Sequence, residues 1–139
     1  MTTQAAERMV FEGAQVSMHA TPLNDYFAMG GRRPHFTRSN TARRRGYSGT
    51  WEILNKRLYL IALKGRLISG QDVVLKDVFP DYPERVFAHW YSGEIRLSMG
   101  ALVRHVNIGF GNRFEREIMI DVERGRVVGE RQQRNEVQP

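Results

Sequence analysis

Six arginines, Arg32, Arg33, Arg38, Arg43, Arg44 and Arg45, fall within one short stretch, and no acid occurs anywhere from Tyr26 to Trp51. The other fifteen basic and fifteen acidic residues cancel, so the formal charge of +6 resides in that stretch. Guanidinium groups make planar, bidentate contacts with phosphate and carboxylate, and they stack on aromatic rings. A localised positive charge on a neutral body points to an anionic partner: an acidic protein surface, a nucleotide or a nucleic acid. His35, Phe36 and Tyr47 add stacking surfaces nearby. The competing account is internal: a solvated basic loop, or arginines that pair with Glu115, Glu117 and Asp121 on the exposed side of a strand. No recognised nucleic-acid-binding motif is present. Arginine outnumbers lysine eighteen to three over the whole chain. GC-rich coding accounts for that ratio, but not for the missing acids in one segment.

Other residues capable of chemistry are scattered. The histidines are His19, His35, His89 and His105, and no pair has metal-ligand spacing. His89 lies near Glu94, a pair that could exchange protons only if it lined a pocket; a partly exposed strand histidine is the commoner case. Ser92, in Tyr91-Ser92-Gly93, has no nucleophile-elbow glycines around it and reads as a turn residue. Among the neighbouring aromatics, an exposed Trp90 or Tyr91 would suit a protein interface. There is no cysteine, which removes disulfides, thiolate nucleophiles and cysteine metal sites together and agrees with a reducing compartment. No catalytic residue, metal site or cofactor is expected.

These groups need a scaffold. At 139 residues the chain is expected to form a single domain, with residues 1–8 and 131–139 as loose termini. The N-terminus lacks the apolar core of a secretion signal. The longest apolar run, Leu58 to Leu63, is far short of the roughly 20 residues that span a bilayer. A soluble cytoplasmic protein without membrane contact follows, of unknown oligomeric state. Val10 to His19 reads as a first strand interrupted at Gly13. Thr21-Pro22 reads as the start of a short helix that Gly30-Gly31 must end.

From Tyr47 the pattern has period two. Tyr47–Leu54 and Arg57–Leu63 read as strands joined at Asn55-Lys56. Both faces of the second are apolar, which suggests a central strand covered on two sides. Gln71–Leu75 reads as a short strand, and Lys76 to Phe79 as a single helical turn. Val86–Trp90 and Glu94–Leu97 read as a hairpin. Leu102–Ile108 and Phe114–Val122 read as strands, with a last one from Arg126 after Glu123-Arg124-Gly125. The expected fold is therefore mainly β: a single antiparallel domain, sandwich or partly closed barrel, with one short helix. Trp51, Ile53, Leu58, Leu60, Ile118 and Ile120 are the expected core.

Gly49-Thr50-Trp51, entering the first long strand, resembles the opening of lipocalins, avidins and fatty-acid-binding proteins, barrels that hold small apolar ligands. The competing account is a core tryptophan beside a glycine that lets it pack. The longer runs Arg45-Gly46-Tyr47-Ser48-Gly49-Thr50-Trp51-Glu52-Ile53, Leu58-Tyr59-Leu60 and Phe87 to Leu97 resemble small uncharacterised bacterial proteins across most of residues 22–128. That resemblance implies a bacterial source and one compact domain, and brings no activity, ligand or catalytic residue with it. The residues thus favour a non-enzymatic binding module that uses its arginine segment. A small-ligand-binding barrel is the alternative, and an enzyme with a His89/Glu94 site ranks last.

Overall fold

The computed structural model describes residues 6–31, 33–34, 36, 46–82, 84–104 and 113–135. Of these, 58% are strand and 10% helix. In chain order the strands are β1 (Glu7–Phe11), β2 (Ala14–Met18), β3 (Tyr47–Leu54), β4 (Arg57–Arg66), β5 (Asp72–Val73), β6 (Val86–Phe87), β7 (Gly93–Arg104), β8 (Arg113–Glu123) and β9 (Arg126–Arg134). Among the described residues, helix α1 (Pro22–Ala28) precedes β3, and α2 (Leu75–Val78), the single turn expected near Lys76, follows β5.

Seven strands close into a barrel in the order β3-β1-β2-β7-β8-β9-β4, with β4 returning to β3. A ring with an odd number of strands cannot alternate direction throughout. One neighbouring pair must be parallel, and it is β1–β3, with Met9 opposite Trp51. Closure leaves the barrel without a free edge. The edge of β4 is shared in turn by β9 at Arg57, β6 at Tyr59 and Leu60, and β5 at Gly65 and Arg66.

Three tight hairpins set the register. Their turn residues Glu12-Gly13, Asn55-Lys56 and Arg124-Gly125 all have positive φ, the geometry of a type I′ turn, whose twist matches that of the strands. Gly13 therefore ends a strand rather than interrupting one. Inside the barrel, Met9, Met18, Trp51, Leu58, Leu60, Ile95, Leu97, Ile118 and Ile120 are almost wholly buried. Helix α1 starts at Pro22, as its fixed φ allows, and buries Leu23 against this core.

Several expectations are corrected. Residues 7, 8 and 131–134 are not loose: Glu7 is fully buried in β1, and β9 pairs with β8 as far as Arg134. Strands β6 and β7 do not form a hairpin; β6 pairs with β4, and β7 with β2 and β8. Strand β4 is not covered on both sides. Thr50 faces Ala62 but Trp51 faces Leu60, so a bulge at Ile61 resets the alternation. Leu58, Leu60 and Leu63 then point inward, while Ala62 is exposed. Ile53 is only half-buried. Glu117 is fully buried rather than exposed.

Candidate functional site

Of the six clustered arginines only Arg33 lies within the described residues; Arg32, Arg38, Arg43, Arg44 and Arg45 lie outside them, as do His35 and His105. Arg33 is exposed, with its guanidinium 5.4 Å from the ring centroid of Phe27 on α1. Three residues on, Phe36 forms an isolated bridge to Leu67, just beyond β4. Its ring also contacts Phe27 and Tyr47. Gly65 permits this close approach, because a Cβ there would stand 2.7 Å from the Phe36 ring. Phe36 is thus attached to the barrel at a defined place.

Beside that attachment runs an open cleft of about 940 Å³. Arg33 and Pro34 line one part of it. The turn Leu67 to Gln71, strand β5 and helix α2 line the rest, with Ile68 76% exposed. Its acids have local tasks. Asp72 faces Arg66 at 3.4 Å, and Asp77 accepts a hydrogen bond from the Val74 N–H at 2.8 Å. The cleft therefore offers a guanidinium, a side-chain amide at Gln71, a hydroxyl at Ser69 and exposed apolar surface. That set can hold a ligand; among the described residues it holds no nucleophile next to a base.

Of the three carboxylates considered as partners of the arginine segment, Glu117 and Asp121 are engaged by arginines of the barrel strands. Glu117 pairs with Arg96 from β7, lies 3.8 Å from Arg113, and accepts a hydrogen bond from the Asn135 side-chain amide at 2.8 Å. Asp121 lies 3.6 Å from Arg131, which also pairs with Glu94.

His89 and Glu94 are not brought together. His89 is exposed and meets Trp90 edge-on, while Glu94 is held by Arg131. Trp90 and Tyr91 are buried, so neither offers the interface considered above. The Trp90 indole donates to the Pro22 carbonyl at 2.8 Å. Burial, helped by Asp25 and Glu94, pushes the Tyr91 hydroxyl up to about 12, and it donates to the Glu94 carbonyl at 3.1 Å. The Ser92 hydroxyl accepts the Arg124 N–H, the part of a turn residue.

Gly49 and Trp51 belong to the core. The Gly49 N–H donates to Glu7 at 2.8 Å. A Cβ at Gly49 would stand 2.8 Å from the Glu7 carboxylate and 2.9 Å from the Trp51 indole nitrogen. The glycine is what lets an acid and a tryptophan meet there. The barrel axis is filled by side chains such as Trp51, Met9 and Leu60, as in other small barrels.

One pair escaped the sequence. His19 Nε2 and Ser98 Oγ are 2.6 Å apart, although seventy-nine positions separate them. Burial, with Arg96 and Arg113 nearby, lowers His19 to about 4. Such an imidazole has little drive to take a serine proton at neutral pH, and Ser98 is only 5% exposed. The pair ties the residue just after β2 to β7, beside the Arg96–Glu117 ion pair. Among the described residues no three His, Asp or Glu side chains converge as metal ligands, and no helix is long and apolar enough to cross a membrane.

No family model, no curated protein and no solved structure matches the chain. The functional reading therefore rests on the site alone.

Proposed function

We propose that the protein is a non-enzymatic binding module that engages an anionic partner through the segment carrying Arg32, Arg33, Arg38, Arg43, Arg44 and Arg45. In this reading it works in the bacterial cytoplasm, in keeping with the lack of cysteine. The supporting observation is the allocation of charge: Glu117 and Asp121 are occupied by Arg96, Arg113 and Arg131 of the barrel strands. Arg33 meanwhile stands exposed at the cleft, beside the point where the segment joins the sheet. An anion seated in the cleft would meet Arg33.

The test is a variant with Arg43, Arg44 and Arg45 replaced by serine. Its binding to heparin and to an acidic polypeptide should weaken, and the salt dependence should flatten by up to about three contacts. Its melting temperature should stay the same. A lower melting temperature with unchanged binding would mean that the arginines serve the fold, and the reading would fall.

A further inference from the structure

We propose that the outer face of the barrel where β4 meets β6 and β9 binds single-stranded nucleic acid. This surface uses none of the residues between Arg32 and Arg45. It starts at Arg57, ten positions along the chain from the Leu67 attachment point, about 30 Å along an extended strand.

Arg57 on β4 and Arg126 on β9 are cross-strand partners, and both are exposed. Like charges directly opposite one another destabilise a sheet. Among the described residues neither arginine forms an ion pair, nor does exposed Arg85 just before β6. Hydrogen bonds from Leu58 N–H to the Gly125 carbonyl and from Val127 N–H to the Lys56 carbonyl, each 2.8 Å, bring the turn cations Lys56 and Arg124 to the same seam. Glu123 is the partner of Arg126 across β8 and β9, and Glu52 lies opposite Tyr59, yet among the described residues neither acid is within ion-pair distance of these cations. The fold thus tolerates a repulsion that a phosphate placed between Arg57 and Arg126 would relieve.

Aromatic rings are interleaved with these cations. Tyr59 and Phe87 are partners across β4 and β6, half-buried, with centroids 5.8 Å apart. Arg85 stands over Tyr59 at 4.9 Å, and Arg57 over Phe87 at 5.7 Å. An arginine held over a ring keeps N–H groups for phosphate, and its plane can stack on a base. Alternating guanidinium and ring is the composition that single strands reward, because their bases are open to stacking. A duplex hides its bases. Reading its major groove takes a helix or a β-ribbon, yet α1 and α2 bury Leu23 and Leu75 in the core and the sheet is closed. The patch is invisible as a charge run because Arg85 follows Glu84, and Arg124 follows Glu123.

The probe is a labelled oligothymidylate of about ten nucleotides, followed by fluorescence anisotropy between about 50 and 200 mM salt. Arg57→Glu with Arg85→Glu should weaken binding at least about tenfold and flatten the salt slope by about two contacts. Arg57→Glu alone turns a like-charge cross-strand pair into an opposite one, so its melting temperature should hold or rise while its binding falls. Tyr59→Leu keeps apolar bulk and should still cost about fivefold or more. The inference is overturned if the wild type does not bind, if these variants bind as it does, or if a duplex of equal length binds as tightly. If binding is lost in the Arg43/Arg44/Arg45→Ser variant and kept in the Arg57/Arg85 variant, this surface is refuted and the arginine segment stands. The reverse pattern supports this surface and removes nucleic acid as the segment's partner.

Discussion

The carboxylate of Glu7 lies 3.4 Å from the indole nitrogen of Trp51, with neither side chain exposed to solvent. An acid at the start of the first strand thus helps to fix the central tryptophan of the barrel. A buried acceptor removed from such a site leaves its donors without partners. Glu7→Ala should cost about 3 kcal/mol in urea unfolding, because the Gly49 N–H and the indole N–H lose their acceptor together. Glu7→Gln, which retains one acceptor oxygen, should cost less. Equal stability of wild type and Glu7→Ala would show that the carboxylate is dispensable.

Arg96 and Glu117 form a second buried unit, on the outer face of β7 and β8. Removing one member takes away the other's closest charge partner, although Arg113 stays 3.8 Å from Glu117, so Arg96→Met or Glu117→Met alone should destabilise by up to about 3–5 kcal/mol. The double replacement should cost less than the two single ones together. A double-mutant cycle measures that difference, and strict additivity would count against the pair.

His19 should make stability depend on pH. Its ring is held neutral, lowered from 6.5 to about 4 by burial and by Arg96 and Arg113. In the unfolded chain it titrates at its ordinary value, so as pH falls below 6.5 the unfolded state takes up a proton that the folded state refuses. The stability at neutral pH is thus lost progressively between about 6.5 and 4, and the loss levels off below. Its size is on the order of 2 kcal/mol after allowance for solvent that still reaches the ring. In His19→Gln the unfolding free energy should be flatter across that window than in the wild type.

Ile118→Ala should cost roughly 2–5 kcal/mol, since the side chain is fully buried between β7 and β9. Ile53→Ala should cost about half as much, because Ile53 retains contact with water. Thermal unfolding of the two variants side by side checks the ranking.

What the sequence disclosed and withheld has a physical pattern. Asn55-Lys56 and Arg124-Gly125 were readable as turns because left-handed backbone selects residue types locally. The inward face of β8 was readable because Ile118, Ile120 and Val122 alternate with Glu117, Met119 and Asp121. The bulge at Ile61 was not, since nothing in Leu60-Ile61-Ala62 marks an extra residue when both phases are apolar. The partner of β6 was hidden because strand pairing is decided by shape over distance, not by the turn at Tyr91 to Gly93. Glu7 resembled a tail residue because burial of an acid depends on donors more than forty positions away. At the candidate site, the charge of the arginine segment was legible and its cleft was not. Leu67, Val73 and Val78 become one wall only after β4, β5 and α2 have packed.

The parallel neighbours β1 and β3 have a consequence for the order in which the chain can fold. The β1–β2 hairpin forms its own contacts early, but its flanks belong to β3 on one side and β7 on the other, where Ser17 meets Ser98. On a ribosome the hairpin therefore emerges long before its second flank exists. Closing so long a loop is entropically slow, so the first strands made are among the last to be locked in place. A nascent chain stalled before β7 would expose Met18, which the finished barrel buries completely, and would be a target for chaperones.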